Sequence, residues 1–170
     1  MEQKVSPTHV GAKYGLIIGL GMVAFQLSMY LSGNATNETL GYLVYVIIVA
    51  GMYFACREFK NNAGGVMSFG EGFKTNLFVT LIASVISTLF TYVYIKFISP
   101  EVLEQFREQV LFNFEKQHLP DDQVEQAMKM MDTFMSPEWI AGGNAVGVLL
   151  IGVVLGAVVA AISKKEATAF

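Results

Sequence analysis

Thr75-Asn-Leu-Phe-Val-Thr-Leu-Ile-Ala-Ser-Val-Ile-Ser-Thr-Leu-Phe-Thr-Tyr-Val-Tyr-Ile95 contains no acidic, basic or histidine residue. A helix needs roughly 20 such residues to cross a hydrocarbon core about 30 Å thick, and this run supplies them. Working outward, Tyr14 to Asn37, Thr39 to Cys56 and Trp139 to Ser163 are also uncharged. With 170 residues, 54% apolar and 15% charged, and a mean hydropathy of +0.50, the chain is too apolar for an ordinary soluble domain. The reading is an all-α integral membrane four-helix bundle forming one domain over 1–170, with transmembrane helices at about 12–31, 40–56, 73–98 and 139–162. An extracytoplasmic amphipathic helical hairpin, 100–135, lies between the third and fourth. The polar lead-in to Lys13 and the apolar run after it argue for a retained first helix over a cleaved signal peptide.

Cation placement sets the expected orientation. Lys4, Lys13, Arg57, Lys60, Lys74, Lys164 and Lys165 fall on one side with only four carboxylates, a net of +3. Lys96, Arg107, Lys116 and Lys129 fall on the other with ten, a net of −6. The positive-inside rule then predicts a multi-pass membrane protein with both termini in the cytoplasm.

The helices carry three kinds of signal. Asn76, Thr80, Ser84, Ser87 and Thr91 recur every three or four residues, so they form one polar seam along the third helix. Gly11, Gly15 and Gly19 share a face of the first helix with Gln26, where small residues admit a neighbouring backbone and the amide bonds across to it. Gly143 with Gly147, and Gly152 with Gly156, give the last helix two small-residue faces. Interhelical hydrogen bonds in membranes average only about 0.6 kcal/mol, which favours packing as the seam's role over a hydrated path. Ser68-Phe-Gly-Glu71 reads as a capping box opening the third helix near Phe69, and Asn37 is placed to cap the second.

Ser99-Pro-Glu101 and Ser136-Pro-Glu138 repeat one helix-start signal. Between them, Leu103, Phe106, Val110 and Phe114 make one apolar stripe, and Val124, Ala127, Met128, Met131 and Met135 another. The opposite faces are acidic, so apolar contact, at the membrane surface or over the bundle mouth, must hold these helices.

Several activities are excluded. Phe73 stands where a phosphate loop needs Gly before Lys74, and no strand precedes it. Asn34-Ala-Thr and Asn37-Glu-Thr match the glycosylation triplet only as loop chemistry. The lone Cys56 permits no internal disulfide, and the methionines near His118 are read as flexible core filler, not a copper site. His9 and His118 fall on opposite sides, so they share no site. No catalytic residue, cofactor or metal is expected, and no nucleic-acid partner. The expected function is a non-catalytic structural or partner-binding membrane component, whose partners are membrane lipid and either further copies or another membrane protein. The alternative is an oligomeric pore or carrier for a small neutral solute, lined by the third-helix seam.

From Gly64-Gly-Val-Met-Ser-Phe-Gly-Glu-Gly-Phe-Lys-Thr-Asn76, through the hydroxyl-rich helix, to Tyr92, Tyr94 and Ser99-Pro100, the chain resembles a bacterial family. It is similar to the domain-of-unknown-function family numbered 4199, small multi-pass proteins found chiefly in Bacteroidetes. The resemblance covers about 9–165 and implies the four-helix plan, the long third loop and, with the charge placement, a multi-pass protein of the bacterial inner (cytoplasmic) membrane. It brings no established activity and no catalytic residues.

Overall fold

The computed structural model of the protein describes residues 6–116, 126, 129, 131 and 134–165. Helix α1 spans Pro7–Leu31, with proline at its start, where a missing N–H costs nothing. A short α2, Glu38–Gly41, leads through Tyr42 into α3, Leu43–Asn62. The Asn37 side chain accepts the Leu40 N–H at 3.1 Å and so opens this second passage. Helix α3 runs on past the expected span to Asn62 before Gly64 and Gly65, both at positive φ, turn the chain.

Helix α4, Phe69–Val93, starts on a capping box. The Ser68 hydroxyl accepts the Glu71 N–H at 3.3 Å while the Glu71 carboxylate accepts the Ser68 N–H at 2.9 Å. It ends in a π turn, Tyr94–Ile98, in which the Ser99 N–H reaches back to the Tyr94 carbonyl at 2.9 Å. Pro100 disfavours helical backbone at Ser99, which stops the helix there.

Helix α5 covers Glu101–Lys116 and α6 covers Pro137–Ser163. The two Ser-Pro-Glu starts work differently. The Ser136 hydroxyl accepts the Trp139 N–H at 3.4 Å, whereas the Ser99 hydroxyl donates to the Glu101 carboxylate at 2.8 Å. Backbone N–H bonding at Glu101, then this hydroxyl, hold its carboxyl below the usual range. Most of the second amphipathic segment, including His118, the acidic run and Met128, lies outside the described residues.

Among the described residues, four helical passages, Pro7–Leu31, Glu38–Asn62, Phe69–Ile98 and Pro137–Ser163, are long and apolar enough to cross a membrane. They alternate in direction, which puts Pro7, Asn62, Phe69 and Ser163 at one end, the terminal end, and Leu31, Glu38, Ile98 and Pro137 at the other, the far end. The order in space does not follow the order in sequence. Helix α4 is central, packed along α1 on one side and α6 on the other, while α3 lies more lightly across all three. Its apolar window is 44% buried against 22–28% for the other three. Val10, Ile18, Met22, Ile48, Met52, Phe59 and Val79 form the core. A second cluster at the far end joins Tyr94 and Ile95 to Val102, with Leu103 and Phe106 of α5 packed on it. At the terminal end Met67 and Lys165 exchange backbone bonds of 2.9 Å, tying the link between α3 and α4 to the residues that follow α6.

Candidate functional site

All five seam residues are buried: Asn76 and Ser87 completely, and Thr80, Ser84 and Thr91 to within 3% of their surface. The seam faces inward because its partners are glycines and carbonyls on the flanking helices. Asn76 Nδ2 donates to the Gly156 carbonyl at 3.0 Å, where a β-carbon would stand only 3.0 Å from Asn76 Cβ. One turn on, Thr80 fills the space at Gly152 and returns its hydroxyl to the Asn76 carbonyl at 2.9 Å. Four residues up α4 match four residues down α6, the register of an antiparallel pair.

On the opposite side α1 runs parallel to α4. A β-carbon at Gly11 would lie 2.6 Å from the Thr75 carbonyl oxygen, at Gly15 2.8 Å from Ile82 Cβ, and at Gly19 2.8 Å from Ile86 Cδ1. Three successive turns of glycine thus let the backbones close together. The structure brings Gly11, Gly15, Gly19, Gly152 and Gly156 onto α4, but not Gly143 and Gly147. A β-carbon at either of those would meet nothing within 4 Å.

Towards the far end the seam opens into a junction of three polar side chains. Ser87 Oγ accepts from Gln26 Nε2 at 3.2 Å and from Asn144 Nδ2 at 2.9 Å, which joins α1, α4 and α6 at one atom. The other half of the Gln26 amide, Oε1, is buried and has no hydrogen-bond partner among the described residues. An acceptor left so costs about 1–3 kcal/mol. Gln26 and Asn144 line a cavity of about 250 Å³ between α1, α3 and α6. Met22, Met29, Tyr45, Ile48, Val148 and Ile151 wall it, and Ala35 and Gly41 border it at the far end.

Three features were not singled out by sequence reasoning. Asn144 reads there as one polar residue in a glycine-rich run, and only its position opposite Ser87 gives it a role. Gly51 admits the Ile18 side chain between α1 and α3; a lone glycine inside an apolar helix is the signal that marks it. At the terminal end Lys13 Nζ donates to Glu58 Oε2 at 2.8 Å, and the Tyr14 hydroxyl donates to the same oxygen at 3.0 Å. Its far-end counterpart is Lys96 with Glu138 at 2.7 Å. Cys56 is fully buried, with Sγ 3.5 Å from Asn76 Oδ1. Among the described residues, no group of three or more His, Cys, Asp or Glu is placed to hold a metal ion.

The class defined by this architecture is a small all-helical bundle of four membrane-length helices with an amide and hydroxyl core. The chain belongs to the family described as Protein of unknown function (DUF4199), whose model matches residues 13–165. No curated protein and no solved structure matches it.

Proposed function

We propose that the protein is a non-catalytic, multi-pass component of the bacterial cytoplasmic membrane, both termini in the cytoplasm, that binds a partner helix on the far half of α6. The observation that carries this reading is the unequal use of the glycines. Gly11, Gly15, Gly19, Gly152 and Gly156 are filled by α4, whereas Gly142 and Gly143 have open space beside them and Gly147 borders the cavity. Leu150 and Val154 continue that face, 65% and 63% exposed. In lipid, small residues beside exposed branched ones offer a second helix close backbone approach, with van der Waals packing as the driving force.

The pore alternative draws no support from the seam. Its side chains point between helices of the same chain, and Asn76, Thr80, Ser84 and Ser87 each have a hydrogen-bond partner there. Orientation rests on charge: Lys13, Arg57, Lys60, Lys74, Lys164 and Lys165 lie towards the terminal end, and Glu38, Glu101, Glu104 and Glu138 towards the far end.

The test places a photo-crosslinking amino acid at Gly143 and, as a control on a different exposed face, at Leu20. A discrete adduct from position 143 alone, either a second copy or another membrane protein, is the expected result. Equal labelling at the two sites, or lipid adducts only, would overturn the reading. Reporter fusions at the two termini check orientation, and opposite locations would refute it.

A further inference from the structure

Helix α3 presents one outer stripe that changes character along its length. Val46, Ala50 and Phe54 recur every four residues, and with Val159 and Ile162 of α6 they border a groove of about 580 Å³. The lining also includes Tyr45, Tyr53 and Ser163 but no charged side chain. The groove is open at the side, since Val46 is 63% and Ile162 75% exposed. From Tyr45 to Phe54 it follows the helix for about 14 Å, close to half of a hydrocarbon core about 30 Å thick and so the depth of one leaflet.

Phe54 also belongs to a second recess, of about 350 Å³, where the stripe continues through Arg57, Glu58, Asn61 and Asn62 and meets Tyr14 of α1. Arg57, Asn61 and Asn62 are exposed. The Glu58 carboxylate already accepts from Lys13 Nζ at 2.8 Å and from the Tyr14 hydroxyl at 3.0 Å, whereas among the described residues no carboxylate pairs with Arg57. Arg57 and Lys13 against Glu58 leave the recess with a net positive charge. Lys60 stands at the same end of the groove, its Nζ donating to the carbonyl of the lining residue Ser163 at 3.3 Å.

From this juxtaposition we infer that the outer face of α3 binds one anionic phospholipid, with an acyl chain in the groove and its phosphate at Arg57 and the Asn61 and Asn62 amides. A guanidinium matches phosphate with two parallel N–H donors, and each basic residue at a membrane surface adds to the binding of anionic lipid. Free phosphate would account for the recess but leave the groove unexplained. A closely packed helix is the poorer occupant of the groove, whose lining is mostly branched and aromatic and holds no glycine, unlike the Gly142–Gly143 face. The site requires the four passages to lie in a membrane, but not the partner helix, which docks on the far half of α6, so the two readings can fail separately.

The probe is dioleoylphosphatidylglycerol, titrated into the full-length protein in a non-ionic detergent, with bound lipid counted by native mass spectrometry. One lipid per chain should bind saturably, about fivefold more tightly than dioleoylphosphatidylcholine, whose choline cation meets the same excess of positive charge. Arg57→Gln should remove that preference. Ala50→Trp, which fills the groove, should weaken the binding of both lipids, and thermal unfolding of each variant shows that it is folded. Excess glycerol 3-phosphate should not displace the lipid. Unsaturable binding, equal affinity for the two lipids, a preference that survives in folded Arg57→Gln protein, or displacement by glycerol 3-phosphate would overturn the proposal. So would undiminished binding to a folded Ala50→Trp protein, or a dimer whose formation excludes the lipid.

Discussion

The two halves of the α4–α6 contact use the same residue types and reach different ends. In the terminal half, Asn76 and Thr80 meet Gly156 and Gly152 so closely that hydrogen bonding and packing are one event. In the far half, Ser84 reaches the Ala145 carbonyl only at 3.4 Å, Gly143 faces open space, and Gly147 borders a cavity that stands where a third helix would close. Glycine spacing therefore permits close approach without enforcing it. What decides is whether the facing side chain fills the volume: Thr80 does, and nothing does so beside Gly147.

Breaking the tight half should have the largest effect. Gly152→Leu drives a side chain into Thr80 and is expected to cost about 3 kcal/mol, read as a fall in thermal midpoint in detergent. Gly143→Leu, in the same helix, should stay within about 0.5 kcal/mol of the parent. Comparable losses at the two positions would abolish the distinction between the halves.

The amides sharpen it next. Asn76→Leu removes the bond to the Gly156 carbonyl from a fully packed site and should cost about 1–2 kcal/mol in equilibrium unfolding. Gln26→Met removes a bond of similar kind but also a buried acceptor that has no donor, so it should be neutral or stabilising by up to about 1 kcal/mol. A loss at Gln26 as large as that at Asn76 would mean that the carbonyl is already satisfied.

The smallest effect belongs to the ion pair at the terminal end. Lys13 is half exposed and Glu58 28% exposed, so Lys13→Met should lower the thermal midpoint only slightly, by less than Asn76→Leu, and only at low salt. The difference between parent and variant should shrink in high salt, and a salt-independent gap would mean that the Tyr14 bond dominates.

Much of this architecture was legible from uncharged run lengths alone, because a helix of membrane length needs only enough consecutive apolar residues. The seam was legible as a face, since Asn76 to Thr91 repeat at helical spacing. Which helix covers it was not legible, because periodicity defines a face without naming its neighbour. The short loop 32–37 suggests α1 with α3 as the natural pair, yet α1 packs chiefly on α4, through Gly11, Gly15 and Gly19. The difference between the two glycine pairs of α6 was likewise hidden, since it depends on residues of α4 that are remote in sequence. The π turn left no sequence mark beyond Pro100. The cavity left none at all, for empty space is set by the neighbours of a residue and not by its own type.

The central position of α4 also has a consequence for biogenesis. A ribosome delivers α1 and α3 before α4 exists, so the three-glycine stripe of α1 must wait, uncovered, until the third passage has been made. Fragments ending after Asn62 would leave that stripe exposed to other helices. Completion of α4 is thus the earliest moment at which the first helix acquires its permanent neighbour.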